Sequence, residues 1–408
     1  MKKFDCFITL VGLVLGLSFT SCDTFISTSI SDDEALDGPI ATLSGAETGR
    51  HIIGDEEFSK VYSISDGLGP IFNAASCEAC HIADGRGHAF TTFTRFGRVE
   101  NGVFDALQDF GGPQLQDKSL PGFSAEFLPA LANVHSGFMA PAVTGLGYVE
   151  ALDDSTLMRL ADPEDANKDG ISGRLNYVIP PEFFKPGSKH VPVNGKYIAR
   201  FGRKAMAIDL VHQSVNAFFN DMGISSEYHP QDIRNVQSSD VTDNANDPEI
   251  SAKVVEDVAF YLRTLKVPPR RNSNDADVIE GEKAFLQVGC GNCHVQTLKT
   301  GMSAIGSLHK VEFHPYSDFL LHDMGSELND GYTEGDALSS EWRTTPLWGI
   351  GLAHVSNGGA IAFLHDGRAK TIRQAIDYHG GEAADSRSKF KALNAILQDK
   401  ILKFLQSL

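Results

Sequence analysis

The feature that most constrains this chain is a five-residue pattern that occurs twice. Cys77-Glu78-Ala79-Cys80-His81 and Cys290-Gly291-Asn292-Cys293-His294 each place two thiols three residues apart, followed at once by an imidazole. At this cysteine and histidine content, one such pentapeptide arises by chance about 0.003 times. Two thiols on one turn can each bond a vinyl group of a haem, and the next residue brings its imidazole under the iron. C-x-x-C-H is the attachment pattern of c-type haem. A zinc site of four cysteines would use both pairs but leave both histidines as coincidence. A thioredoxin-like redox pair needs a βαβ context, which neither flank shows. The expectation is two covalent haem c groups, held by Cys77, Cys80, Cys290 and Cys293, with His81 and His294 as proximal iron ligands.

The other two cysteines, Cys6 and Cys22, lie at the start of the chain. Lys2 and Lys3 precede an apolar run from Phe7 to Phe19, which is too short to span a bilayer and reads as the core of a signal peptide. The run ends in Phe19-Thr20-Ser21-Cys22, which resembles the lipobox of bacterial lipoproteins, with phenylalanine where leucine is commoner. Residues 1–21 are then a signal peptide, Cys22 the lipidated first residue of the mature chain, and 22–48 a polar tether. An ordinary secretory signal, leaving a soluble protein, is the alternative. Export suits haem attachment, which takes place outside the cytoplasm. The expected location is the cell envelope, lipid-anchored on the periplasmic side or at the outer membrane. The net charge of −18, with no basic run, argues against nucleic acid as a partner. It either steers a basic protein partner or simply keeps the protein soluble.

A chain of 408 residues has room for two or three domains. Each motif has a similar lead-in: Glu56 to Tyr62 ahead of the first, Ile279 to Phe285 ahead of the second. Each half also closes on a similar helical face, in Tyr261-Leu262-Arg263-Thr264-Leu265 and Phe404-Leu405-Gln406-Ser407-Leu408. Val267 to Asn274, with Pro268 and Pro269, reads as a linker. The pattern predicts a mainly α fold of two cytochrome c-like lobes, 49–270 and 271–408, the first enlarged by long insertions. One insertion contains Asp165-Ala166-Asn167-Lys168-Asp169-Gly170, the opening of a calcium loop in which alternate side chains converge on a hard cation. Its twelfth position is Asn176 instead of the bidentate glutamate. Calcium at Asp165, Asn167 and Asp169 therefore stands against a plain Asx-rich turn.

The sequence around both motifs resembles the di-haem oxidoreductases also labelled thiol oxidoreductases, relatives of the bacterial di-haem cytochrome c peroxidases and of MauG. The resemblance runs from about residue 50 to the C-terminus. It rests on Phe72 to Ser76, Asp84 to Gly87, Gly145 to Glu150, Asp165 to Gly173, Asp221 to Ile224, Glu341 to Gly349 and Phe363 to Arg368. It implies a mostly helical fold, two haems, and electron transfer or peroxide chemistry. The thiol label has no residue to support it. Signal removal, lipidation of Cys22 and attachment of two haems leave no free thiolate.

For the second haem, Ile372, Ala375, Ile376 and His379 share one face of a predicted helix that opens at Thr371 and stops at Gly380. The similar peroxidases carry a methionine ligand at this place, and MauG a tyrosine. The resemblance thus implies His379 as the distal ligand, with Met302 and Met324 as alternatives. For the first haem His88, His135, Met139, His212 and Met222 all remain open. The peroxidase distal histidine falls on Gly97 here, which leaves room for an open iron. Glu150 is a candidate acid–base residue of that pocket.

Two functions follow. One is a peroxidase-like oxidoreductase that passes electrons from an external donor, such as a small c-type cytochrome, through the C-terminal haem to the N-terminal haem and on to hydrogen peroxide. The other is a non-catalytic electron carrier of the envelope, linked to iron uptake or respiration.

Overall fold

Local capping sets where the frame helices begin. Helix α1 (Gly45–Ser59) starts at Ser44, whose hydroxyl accepts from the Glu47 amide while the Glu47 carboxylate reaches back to the Ser44 amide. After the short α2 (Leu146–Glu150), helix α3 (Leu210–Met222) opens on Asp209 and closes on Gly223 at φ 69°. A side chain at Gly223 would be strained and would strike the Ile71 carbonyl. Helix α4 (Ala252–Thr264) follows. Asp275 caps α5 (Ala276–Gln287), Thr371 caps α6 (Ile372–Asp377) and Asn394 caps α7 (Ala395–Ser407). Among the described residues helix dominates the regular structure, and strands form only small ribbons. The longest ribbon pairs β1 (Phe93–Glu100) with β2 (Val103–Asp105) on one side and β3 (Val134–Phe138) on the other, all antiparallel. A second joins β4 (Leu321–Asp323) to β5 (Glu341–Arg343), with His322 opposite Trp342.

This computed structural model describes residues 35–239, 245–356 and 361–408. The expected signal peptide, Cys22 and the first part of the tether lie outside the described residues. The rest of the tether is corrected: Ala35, Leu36 and Ile40 are buried, and the Ile40 amide donates to the Thr264 carbonyl at 2.7 Å. Their apolar side chains have a core to enter, so the packed chain starts earlier than residue 49. No helix among the described residues is long and apolar enough to cross a membrane.

Two helix pairs repeat one geometry. Helix α1 crosses α4 at Gly54, where a Cβ would collide with the Asp257 carbonyl; α5 crosses α7 at Gly281, where it would collide with the Lys400 carbonyl. Four residues on from each glycine stands a phenylalanine. Phe58 packs on Tyr261 with ring centres 5.3 Å apart, and Phe285 packs on Phe404 at the same 5.3 Å. The same phenylalanines face the motif histidines, Phe58 to His81 at 6.0 Å and Phe285 to His294 at 6.1 Å. The second half also feeds the core of the first: Leu298, Phe313, Phe319 and Trp348 pack with Phe58, Phe218 and Leu262. The described residues accordingly form one compact unit.

The crossings make a paired prediction. Alanine favours a helix over glycine by about 1 kcal/mol, so Gly49→Ala, which meets open space, is expected to raise the denaturation midpoint. Gly281→Ala is expected to lose about 2 kcal/mol through overpacking. Urea unfolding of both variants checks it; a gain at Gly281 would show that the crossing is not tight.

Candidate functional site

Each Cys-x-x-Cys-His segment is a single turn. The His81 amide donates to the Cys77 carbonyl at 3.0 Å, and the His294 amide to the Cys290 carbonyl at 2.9 Å. This turn puts both thiols and the imidazole on one side of the backbone. Each imidazole is then fixed from behind. His81 Nδ1 bonds the Pro141 carbonyl and His294 Nδ1 the Tyr316 carbonyl, both at 2.8 Å. A carbonyl can only accept, so Nδ1 carries the proton and Nε2 keeps its lone pair. Burial pushes both histidines down to a pKa of about 4, which keeps them neutral at pH 7.

Around the second motif lies a cavity of about 1420 Å³, its open mouth included, lined by Cys290, Cys293, His294 and His379. Ile372, Ala375 and Ile376 line it too, so the predicted face of α6 does point inward. His379 stands just beyond the end of α6, its Nδ1 bonded to the Ala375 carbonyl at 2.7 Å, with Nε2 left over. The ring centres of His294 and His379 are 6.4 Å apart. Two metal–imidazole bonds of about 2 Å, with each ring centre about 1.2 Å behind its nitrogen, also span about 6.4 Å. The pair fits an iron held between two histidines. Met302 is 65% exposed and lies outside this lining; Met324 is in the lining.

The first motif borders a smaller cavity of about 520 Å³ with Cys77, Cys80 and His81 in its wall. Of the five open candidates, only Met222, at the end of α3, shares that lining. His88 Nδ1 accepts from the Phe90 amide, His135 lies in β3, Met139 is fully buried elsewhere, and His212 Nδ1 accepts from the Ile208 amide. Asp221, which the sequence marks only as the start of one segment of the family resemblance and not as a site residue, also lines this cavity. Burial raises its pKa to about 6, opposed by the Gln114 amide that donates to it at 2.8 Å. Burial also raises Cys77, Cys80 and Cys290 to about 12, so none of these three is a thiolate at neutral pH.

Glu150 lines neither cavity. Its two oxygens take the Arg263 guanidinium at 2.5 and 3.0 Å, and Oε1 also accepts from the Leu210 amide at 2.8 Å. Burial would raise its pKa, but Arg263 outweighs that and holds it near 2. An acid–base role in the first pocket is not what this geometry provides; Glu150 ties α2 to α3 and α4.

The Asp165 loop is exposed and turned in on itself. Asp165 Oδ1 accepts from the Asp169 and Gly170 amides, and Asn167 Oδ1 from the Asp169 amide. The twelfth position faces elsewhere: Asn176 is buried and bonds the Lys204 and Glu334 carbonyls. Just after the loop, Ser172 donates to Glu382 at 2.7 Å, and Glu382 holds His322 Nδ1 at 2.7 Å while Asp318 holds Nε2 at 2.9 Å. Burial opposes a charge on His322, but Asp318, Cys293 and Glu382 prevail and lift its pKa to about 12. A fixed imidazolium thus sits beside the Cys293 thiol, 3.7 Å from its sulfur.

Comparison with known proteins gives a match over residues 20–104 and 132–408 to the family described as "Di-haem oxidoreductase, putative peroxidase". None of the curated proteins matches. Among solved structures, hydrazine synthase of Kuenenia stuttgartiensis is 13% identical with a TM-score of 0.38, covering 100% of both chains. A MauG-like protein associated with microbial copper homeostasis is 16% identical with a TM-score of 0.30, over 64% of this chain and 87% of that one.

Glu150 supplies a pH-dependent prediction. Its folded pKa is depressed below the usual 4.5, so its contribution is complete above about pH 5 and drains away as pH falls toward 2. Glu150→Gln, which leaves Arg263 unpaired, is expected to cost about 3 kcal/mol at pH 7. The gap to the parent protein should close in strong acid. Urea titrations at stepped pH check this, and a pH-independent gap would count against it.

Proposed function

Because the chain belongs to the di-haem oxidoreductase family, we propose that it is an exported di-haem c-type oxidoreductase, peroxidase-like, of two cytochrome c-like lobes. Its N-terminal haem is the reacting one and its C-terminal haem the relay. The observation that carries this reading is that His294 and His379 line one cavity at a ring-centre separation that fits one iron between them. When bound, the haems supply one-electron chemistry at iron. The residues of the chain do the rest. Cys77 and Cys80, and Cys290 and Cys293, tether each group by thioethers. His81 and His294 present Nε2 from rigid turns, and His379 closes the second site against any further ligand. His81 faces a cavity with no second histidine in its lining, which suits peroxide. Electrons would enter from an external donor such as a small c-type cytochrome, by way of the C-terminal haem.

A lipid anchor at Cys22 would hold the protein in the envelope, on the periplasmic side or at the outer membrane. Calcium at Asp165, Asn167 and Asp169 would order the loop next to Ser172, whose partner Glu382 reaches His322. Equilibrium dialysis of an Asp165→Ala, Asp169→Ala variant should show one fewer bound calcium; equal binding would leave the loop a simple turn.

The second reading, an electron carrier linked to iron uptake or respiration, is favoured by Met222 in the first cavity, whose thioether could cap that iron. One set of measurements separates the two. The mature protein should hold two haems that survive acid–acetone extraction, and Cys77→Ala with Cys80→Ala should leave one. Cyanide should bind one haem only, and peroxide should reoxidise the half-reduced protein rapidly in stopped flow. His379→Met should raise one reduction potential, because thioether ligation favours ferrous iron. A protein low-spin at both irons and inert to peroxide and cyanide establishes the carrier.

A further inference from the structure

The cavity of the second motif has a cationic wall that nothing above uses. Arg86, Arg203 and Arg343 all line it, each at least nine-tenths buried. Arg203 Nε donates to the Met139 carbonyl at 2.8 Å, while its Nη2 is shut off from solvent with no partner. Arg343 Nε donates to the Gly202 carbonyl at 2.9 Å and Nη1 to the Thr344 carbonyl at 3.4 Å. Among the described residues neither has an ion pair. The carboxylates that act on them from farther off are already engaged. Asp366, which acts on Arg203, holds the Arg368 amide and guanidinium; Asp318, which acts on Arg343, holds His322 and the Leu320 amide. Arg86 instead stands over the Phe363 ring, 5.6 Å from its centre.

Burying a cation without a partner costs far more than burying an apolar side chain, and Arg203 and Arg343 are two such cations in one largely apolar cavity, with Arg86 beside them. Such an arrangement is stable only if its occupant brings negative charge. A guanidinium fork fits a planar carboxylate best, through two parallel hydrogen bonds. The same cavity is lined by Cys290, Cys293, His294 and His379, which on the di-haem reading would tether the haem and hold its iron. A haem carries two propionate carboxylates. We propose that Arg86, Arg203 and Arg343 are the carboxylate anchor of the C-terminal haem, receiving its propionates on the side of the cavity next to the first motif. Arg86 follows His81 by five residues, and the charge of Arg203 reaches His81. The anchor therefore stands between the two haem sites. Burial lowers the pKa of Arg86 and Arg343 to about 10.

This inference rests on the di-haem reading, but its test does not depend on activity. Arg203→Gln and Arg343→Gln should each keep two covalent haems and lower the reduction potential of one, since a lost positive charge favours ferric iron. That potential should also become pH-dependent between about pH 5 and 8, because a propionate freed from its guanidinium takes up a proton on reduction. The propionate-bending bands in resonance Raman should shift in both variants. If the glutamine variants do not fold, Arg203→Lys and Arg343→Lys keep the charge but lose the fork, so the bands should move while the potential stays close to that of the parent. Unchanged propionate bands in the folded variants would overturn the proposal. So would a spectrum of the parent protein that responds to added inorganic phosphate, which would mark the wall as a site for an exchangeable anion. A protein that fails to react with peroxide but shows these band shifts defeats the peroxidase reading and leaves the anchor standing.

Discussion

A histidine offers a metal its lone pair only when the other ring nitrogen keeps the proton, and the backbone arranges this three times here. The carbonyls of Pro141, Tyr316 and Ala375 hold Nδ1 of His81, His294 and His379 at 2.7 to 2.8 Å. The third bond is local, a turn of α6. The first two are not, since 60 residues separate His81 from Pro141 and 22 separate His294 from Tyr316. Each Cys-x-x-Cys-His turn thus has its imidazole fixed only after a later stretch of chain has folded back over it. The long connections of this protein have a defined task, which is to deliver one carbonyl to the back of each imidazole.

Those connections are themselves pinned by charge. Arg200 pairs with Asp154 at full burial and also donates to the Leu152 carbonyl, and Arg263 clamps Glu150 at the head of α3. A buried pair contributes little net stability, because desolvation consumes most of the Coulomb gain. Displacing one partner is costly, however, since it strands the other charge. Such pairs suit a segment that must hold position more than it must add stability. They fix the inserted chain of the first half relative to α3 and α4, whose side chains line the first cavity.

What is legible in the sequence follows from the range over which each feature is encoded. The two Cys-x-x-Cys-His turns can be read directly, because their pattern is complete within five residues. The α1–α4 and α5–α7 pairs show as matching apolar faces, and His379 shows as the end of one such face. The end of the tether cannot be read, because Ala35 and Leu36 cluster with Leu352 and the Ile40 amide bonds the Thr264 carbonyl, both more than 200 positions later, where no local pattern marks them. Glu150 looks like a free carboxylate for the same reason: Arg263 lies 113 residues away in sequence. The cationic wall is assembled from three separate segments, far apart in sequence, so no single stretch of chain announces it. Asn176, read as the last position of a calcium loop, is instead a core residue that bonds backbone carbonyls.

On the reading proposed here, the second site sets opposing influences on one iron. Two imidazoles favour the ferric state and lower the potential relative to methionine ligation. The imidazolium of His322 beside Cys293 and the guanidiniums of Arg203 and Arg343 favour the ferrous state, because each would stabilise the added electron in a medium of low polarity. The carboxylates of Asp318 and Glu382 cancel the first of these cations at close range, which leaves the arginines as the larger local influence. Propionates seated on those arginines would cancel much of that in turn. The ligand pair then sets the sign of the potential shift, and the arginine wall limits its size. A site closed by two histidines has no room for substrate, so chemistry on an external molecule falls to the iron above His81.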